Sequence, residues 1–380
     1  MKIFYWSPFL SNIATVDAVI KSINSILTYD KYKKFKPYIV DATGEWDLKK
    51  HKVSNINLIK LYNKNYFKNL PKGGYLKSRI SQTLIFLLNF FRLKKLINKE
   101  KPEFLIAHLI ISLPLIIFTL FNLKSKLIIR ISGTPKLNFI RKFFWSMCSR
   151  SIYKVTCPTI ATYNKLINLR VFPKEKIIIL HDPIISAKDI VKKKREPIDI
   201  KFRDNNYLIG IGRLTKQKNF EILIKAFNLI ARKDLSIKLL ILGEGEQMLK
   251  LNELIIKLNL EKKVHLLGYQ KNVFNFINNA KCLISSSLYE DPGFVIIEAG
   301  FLNKFVLAAD SNTGPSEILN NSERGILFKN DDYEDLAEKY LEFTNLNKKE
   351  LNRRKINLKK YSRQFTLYNH FKNLKNILTN

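Results

Sequence analysis

The sequence predicts an α/β protein built of two doubly wound, Rossmann-like halves. Short runs of Ile, Val, Leu and Phe alternate with longer amphipathic stretches, the pattern of a parallel sheet covered by helices on both faces. That alternation breaks into charge between Ala187 and Asn206 and then starts again. At 380 residues the chain is also longer than one ordinary core and suits two domains.

In the first half the strand-like runs are Lys2 to Trp6, Tyr38 to Asp41, Phe104 to Ala107, Leu127 to Ile131 and Lys176 to Leu180. The stretch Phe104 to Phe121 is apolar enough to raise a membrane span. It is interrupted by His108, Ser112 and Pro114, however, and splits into a strand and a helix opened by the proline. A first domain is expected over 1–185. A solvated linker is expected over 186–206, centred on Lys192-Lys193-Lys194-Arg195-Glu196-Pro197. The second domain, 207–360, opens with a strand Tyr207 to Ile211, a turn through Gly212 and a helix from about Phe220 to Arg232. Ile222, Leu223, Ala226 and Phe227 share one face of that helix. Strands Lys238 to Leu242 and Val264 to Leu267 follow, each ending at a glycine, Gly243 and Gly268, and another runs from Cys282 to Ser285. After Asp335 the chain reads as helical, and 361–380 is expected to cross back to the first domain.

Composition bounds the partners. The formal charge is +34, and Lys, Ile and Asn are abundant throughout, the mark of a general codon bias. No basic motif with interleaved aromatics is present, so nucleic acid is not expected. A surface this basic does attract anionic lipid headgroups and phosphorylated ligands. Cys148, Cys157 and Cys282 form neither a CxxC nor a metal-ligand spacing, which fits a reducing cytoplasm. Met1 to Trp6 reads as a first strand rather than a secretion signal. The expected location is the cytoplasm, peripheral to the inner face of the membrane.

Two clusters carry chemistry. Gly210-Ile211-Gly212-Arg213-Leu214-Thr215-Lys216-Gln217-Lys218-Asn219 sits where a strand ends and a helix begins, where open α/β sheets bind ligands. Arg213 and Lys218 can both turn toward one anion there, each charge-assisted bond being worth roughly 1.5–3 kcal/mol. A basic surface loop in a Lys-rich protein is the other reading. The second cluster runs from Ser285 through Glu290-Asp291-Pro292-Gly293 into an apolar helix with Glu298 as its early charge. The amides of Gly293, Phe294 and Val295 would form a helix N-terminus that accepts an anion, and Gly293 leaves room for a ligand to approach. Glu290 and Glu298 suit pairs of vicinal hydroxyls. Two carboxylates also serve a glycosidase, but that chemistry does not call for a phosphate grip nearby.

In these residues the chain resembles glycosyltransferase family 4. The resemblance runs from Gly210 through Leu242-Gly243-Glu244-Gly245, Leu267-Gly268-Tyr269, the Glu290-x7-Glu298 pair and Thr313-Gly314-Pro315-Ser316-Glu317-Ile318 to Gly325. It implies a GT-B fold, two Rossmann-like domains facing a central cleft. It also implies that Arg213 and Lys218 hold the diphosphate of a nucleoside-diphosphate sugar, Glu290 contacts the transferred sugar and Glu298 the ribose. The strand ending Ala107-His108 is similar to the family's strand ending in histidine, which places His108 near the reacting sugar. The family often carries a glycine-rich loop after the first strand, whereas this chain has Ser7-Pro8-Phe9-Leu10-Ser11-Asn12-Ile13.

The implied reaction is retaining transfer by front-face attack, without a covalent nucleophile, to a lipid-linked or glycan acceptor in cell-surface polysaccharide or lipopolysaccharide synthesis. No cofactor and no metal is expected, the nucleotide sugar being a co-substrate. The acidic run Asp331-Asp332-Tyr333-Glu334-Asp335 reads as the first turn of a helix rather than a cation site. Two alternatives stay open: a nucleotide-sugar epimerase of the same fold, which takes no acceptor, and a basic membrane-surface protein without catalysis.

Overall fold

The structure is a computed structural model and describes residues 1–11, 14–71, 74–133, 138–198, 202, 206–311 and 314–380. The chain divides into two units, Met1–Pro183 with Leu367–Asn380, and Ile184–Thr366.

The first unit holds a seven-stranded sheet of β1 (Lys2–Trp6), β2 (Lys36–Asp41), β3 (Asn57–Lys60), β4 (Phe104–Ala107), β5 (Lys126–Arg130), β6 (Ile152–Cys157) and β7 (Ile177–Ile179). Its order is β3-β2-β1-β4-β5-β6-β7, parallel throughout. The second unit holds β8 (Tyr207–Ile211), β9 (Lys238–Leu242), β10 (Val264–Leu266), β11 (Cys282–Ser285), β12 (Phe305–Asp310) and β13 (Ile326–Lys329). These run in the order β10-β9-β8-β11-β12-β13, again parallel. Strand order reverses between β1 and β4 in one sheet and between β8 and β11 in the other. Loops leaving such neighbours splay apart and open a crevice.

Both faces of each sheet are covered, which is why the strands read as unbroken apolar runs. Along β1, Phe4 and Trp6 enter one core layer while Ile3 and Tyr5 enter the other. Along β9, Leu239 and Ile241 face one way, Leu240 and Leu242 the other. The run Phe104 to Phe121 is a strand and a helix, Ser112–Leu120, as its proline and polar breaks imply. No helix among the described residues is long and apolar enough to cross a membrane.

The expected linker 186–206 is corrected. The chain changes unit between Pro183 and Ile184, the helix Ala187–Lys193 follows at once, and Ile190, Ile198 and Phe202 are buried in the core of the second unit. Three apolar residues four and eight apart anchor the segment, and the charges around them conceal that spacing. Residues 199–201 and 203–205 lie outside the described ones. The return crossing falls at Leu367 rather than at 361. The helix Lys348–Ser362 stays in the second unit because Leu358 and Ser362 pack on Gly300, where a Cβ would sit 2.6 Å from Leu358 Cγ. The last helix, Leu367–Thr379, lies on the helix Ala14–Tyr29 of the first unit, with Phe371 stacked on Tyr29 at 6.4 Å.

At the end of β2 two carboxyl groups are buried together: Asp41 is 1% exposed and Glu45 0%. Glu45 accepts from the amides of Ala42 (3.1 Å) and Thr43 (2.8 Å), and Asp41 Oδ1 accepts from the Gly44 amide at 2.9 Å. Asp41 Oδ2 is buried with no donor among the described residues. Burial, then the charge of Asp41, pushes the Glu45 carboxyl up to about 8, so the pair holds a proton at neutral pH. The native chain keeps that proton where the unfolded chain has released it. Stability from this pair is therefore full below the ordinary carboxylate range and declines as pH rises toward about 8. Denaturant titrations from pH 5 to pH 8 are expected to show this decline in the wild type and a flatter profile in Glu45→Gln, which keeps a hydrogen for Asp41; an equal slope in both would place the linkage elsewhere.

Candidate functional site

The crevice between β8 and β11 is built from backbone contacts first. Beyond the strand ends the ladder continues: the Gly212 amide donates to Leu242 O at 3.0 Å, Leu214 to Glu244 O at 2.8 Å, and Gly243 to Gly268 O at 2.8 Å. Gly243 has φ +144°, and a Cβ there would fall 1.8 Å from Gly212 O. Only glycine permits that approach. At Gly212 a Cβ would lie 3.1 Å from Lys218 Cδ and Cε, so the lysine stem crosses directly over the turn.

Lys218 closes a short 3₁₀ turn, Lys216–Lys218, before the helix Phe220–Lys233. Its ammonium donates to Glu290 Oε1, which also accepts from Ser287 Oγ at 2.7 Å. Three further bonds tie the two loops together: Ser286 Oγ to Lys218 O (2.9 Å), the Leu288 amide to Gln217 O (2.9 Å) and Gln217 Nε2 to Tyr289 O (3.0 Å). The paired side chains are only 16% and 11% exposed, so their attraction is poorly screened. A third loop joins them, since the Gly314 amide donates to Glu290 O at 3.1 Å and a Cβ on Gly314 would fall 1.8 Å from Pro292 O.

The helix Phe294–Phe301 starts at this junction after Gly293, whose φ of +102° favours glycine. Its first amides, Phe294 and Val295, have no partner within the helix and carry the positive end of its dipole. Glu298 stands about one turn in and is half-buried. Arg213 is exposed, directly after Gly212, with no carboxylate partner among the described residues. The second unit thus assembles Gly212, Lys218, Gly243, Glu290 and the Gly293 turn as one junction, with Arg213 and Glu298 on the elements that flank it. Sequence spacing does not show that Lys218 is held by Glu290, the carboxylate that its half-buried ammonium meets across the two loops. Thr313, part of the resemblance, lies outside the described residues, as do Asn12 and Ile13 of the glycine-free loop.

His108 belongs to the first unit. Its amide donates to Trp6 O at 2.9 Å, its ring lies against Tyr5 with centroids 6.0 Å apart, and its Nδ1 is buried without a partner among the described residues. Burial, then the charges of Arg130 and His370, hold its pKa well below the ordinary histidine range, so the ring is neutral. With Tyr5, Ser22, Arg130, Asp182 and His370 it lines a cavity that has room for about one water. The buried Arg130–Asp182 ion pair forms one wall. On another, Tyr5 OH meets Ser22 Oγ (3.1 Å), Ser22 Oγ meets His370 Nε2 (2.8 Å) and His370 Nδ1 donates to His181 O (2.8 Å). Arg130, Asp182 and His370 are not recognisable from sequence. Arg130 at the end of an apolar strand was the available signal, and His370 offers none.

The acidic run near residue 331 is used locally. Asp332 caps the helix Tyr333–Asn345 through the amides of Glu334 (3.1 Å) and Asp335 (2.9 Å), Asp335 accepts from the Lys329 amide at 2.7 Å, and Asp331 from Asn219 Nδ2 at 2.7 Å. The three cysteines are buried and free.

Residues 191–364 match the family model for glycosyl transferases group 1. That span lies inside the second unit and contains the whole junction. An uncharacterized glycosyltransferase of Methanocaldococcus jannaschii is 33% identical over 252 residues, 60% of this chain and 61% of that protein. A Campylobacter jejuni N-acetylgalactosamine-N,N'-diacetylbacillosaminyl-diphospho-undecaprenol 4-alpha-N-acetylgalactosaminyltransferase is 30% identical over 221 residues, 56% of this chain and 58% of that one. The chain therefore spans about three fifths of the length of these relatives. Among solved structures, a glycosyltransferase from Rickettsia africae superposes with a TM-score of 0.75 at 19% identity, covering 100% of this chain and 99% of that one. An Anabaena protein solved with UDP and glucose gives 0.68 at 16%, covering 100% and 99%. Together with the two parallel sheets, these neighbours establish the GT-B fold.

The Lys218–Glu290 pair sets a measurable coupling. Lys218→Met or Glu290→Gln alone leaves a half-buried partner uncompensated, whereas the double variant removes both charges. A double-mutant cycle by denaturant unfolding is expected to give a double variant less destabilised than the sum of the singles, with a coupling of about 1–3 kcal/mol; additive values would mean that the two side chains do not interact in solution.

Proposed function

We propose that the chain is a retaining glycosyltransferase that moves a sugar from a nucleoside-diphosphate sugar to a lipid-linked or glycan acceptor, without a metal ion. The observation that carries this reading is the Lys218–Glu290 pair at the strand-order reversal, beside the N-terminus of the helix Phe294–Phe301 and inside the group 1 match. A diphosphate seated there competes with Glu290 for the lysine. The carboxylate it displaces is then an acceptor for sugar hydroxyls, and Glu298, one turn along the helix, is the carboxylate assigned to the ribose.

In the reaction the bond between the anomeric carbon and the diphosphate oxygen breaks, and a bond to the acceptor oxygen forms on the same face. The acceptor proton passes to the departing diphosphate. No protein nucleophile takes part. Lys218, Arg213 and the Phe294 and Val295 amides stabilise the charge that grows on the leaving group, which is where preorganised donors act most strongly. His108, being neutral, enters only as a hydrogen-bonding group. A uridine-diphosphate sugar is the first donor to test because the Anabaena neighbour is solved with UDP and glucose. A polyprenyl-diphosphate glycan is the first acceptor because the Campylobacter relative's name specifies one.

A thermal-shift screen against nucleoside-diphosphate sugars in excess chelator tests both the donor site and the absence of metal. At a hundred times the dissociation constant a ligand adds about 2.7 kcal/mol of stability. One donor of the panel is expected to raise the melting temperature of the wild type and to raise that of Lys218→Ala much less. A shift retained in full by Lys218→Ala, or no shift with any donor, sinks the reading.

A further inference from the structure

The helix Tyr75–Glu100 has two apolar faces. One is spoken for: Ile85, Leu93 and Ile97 enter the core layer on one side of the first sheet. The other carries Leu76, Ile80, Leu84, Leu87, Leu88 and Phe91, at helical spacing, all exposed; Leu76 is 76% and Phe91 74% accessible. A second helix on the same layer, Phe139–Cys148, repeats the arrangement. It buries Trp145 and Cys148 in that layer and exposes Phe139 (85%), Ile140 (76%), Phe143 and Met147. The helix Ser112–Leu120 touches both, so the two exposed faces lie on one side of the first unit. Contiguous exposed apolar surface on this scale marks an interaction site.

The charge around these faces is of one sign. From Leu48 to Lys174 the sequence holds 25 Lys and Arg against two acidic residues, Glu100 and Glu103. Both acids are engaged by Lys2, whose ammonium reaches Glu100 at 3.0 Å and whose amide donates to Glu103 at 2.5 Å. Beside the apolar stripes stand exposed Lys77, Arg92, Lys95, Arg141 and Lys142. Apolar side chains flanked by Lys and Arg make the signature of a helix lying in a bilayer interface. A second copy of the chain would meet this face with the same positive surface, and like charges across an interface oppose association. A nucleic acid would answer the charge but leave the ten apolar side chains without a counterpart. We infer that this side of the first unit docks on an anionic lipid bilayer, with the helices Tyr75–Glu100 and Phe139–Cys148 lying in the headgroup layer.

Co-sedimentation of the full chain with vesicles tests this, and it needs neither donor nor turnover, so its failure is separate from a failure of the sugar-transfer reading. Binding to mixed phosphatidylcholine–phosphatidylglycerol vesicles is expected, weakening with salt, with far less binding to phosphatidylcholine alone. Phe91→Ser combined with Phe143→Ser, and separately Lys95→Glu combined with Lys142→Glu, are each expected to weaken it at least about tenfold. All four positions are exposed, and an unchanged melting temperature checks that the fold survives. Equal binding to neutral and anionic vesicles, no binding, or undiminished binding by both double variants overturns the inference. So does a sedimentation-velocity dimer abolished by the Phe91 and Phe143 changes, or tighter binding to duplex DNA than to vesicles.

Discussion

The junction of the second unit depends on a backbone approach that only glycine allows. Gly243 comes so close to Gly212 O that a methyl group would overlap it, and this contact brings the turns after β8 and β9 into one layer. Gly212, bare in its turn, lets the Lys218 stem cross it and reach Glu290 on the loop after β11. Gly314 then presses on Pro292 and ties in the loop after β12. The sequence of causes runs from absent side chains to close backbones, and from close backbones to a half-buried ion pair that no single element could hold.

The first unit uses the same strand-order reversal with different chemistry. A neutral histidine follows β4 and an arginine neutralised by Asp182 ends β5, joined by His370 from the last helix. Burial depresses both histidines, His370 to about 4, so the positive charge in this pocket is confined to Arg130 and balanced. The junction of the second unit thus presents one exposed cation and one paired with a carboxylate, whereas the cavity of the first unit holds a balanced ion pair among neutral donors and acceptors.

Much of the second unit was legible because its strands are short, mostly apolar runs, and β8 and β9 lead directly into Gly212 and Gly243. β8, β9 and β11 fall where the runs Tyr207 to Ile211, Lys238 to Leu242 and Cys282 to Ser285 put them. β12 and β13 escaped notice for physical reasons. β12 follows the helix Phe294–Phe301 after only three residues, Leu302-Asn303-Lys304, so two short apolar runs stand too close together for a window of helical length to tell one type from the other. β13 is a four-residue edge strand. β3 is equally short and half-exposed, and β6 carries Tyr153 and Lys154 where an apolar run would be sought. In the junction, residue types at fixed spacing named Lys218 and Glu290 but could not show that they bind each other, since that depends on two loops 72 residues apart meeting at the sheet edge. The cavity network was illegible for the same reason, His370 being brought to Ser22 across 348 residues.

The proposed exchange of Glu290 for a diphosphate accounts for lysine rather than arginine at 218. An arginine facing Glu290 would form a two-pronged, planar contact, strong and geometrically fixed. An ammonium is a compact charge on a flexible stem, and it can leave one oxygen for another with little loss of geometry. Glu290 holds that charge in the structure, while Ser287 gives the same carboxylate a second donor that it would retain if the lysine turned to an anion. Arg213, exposed and without a carboxylate partner among the described residues, has no such tether, so it adds charge at the mouth without a pair to break. On the proposed reading, such a site would meet a diphosphate with one exposed cation and one held in reserve, and the carboxylate released by the exchange would be left for hydroxyls attached to that anion.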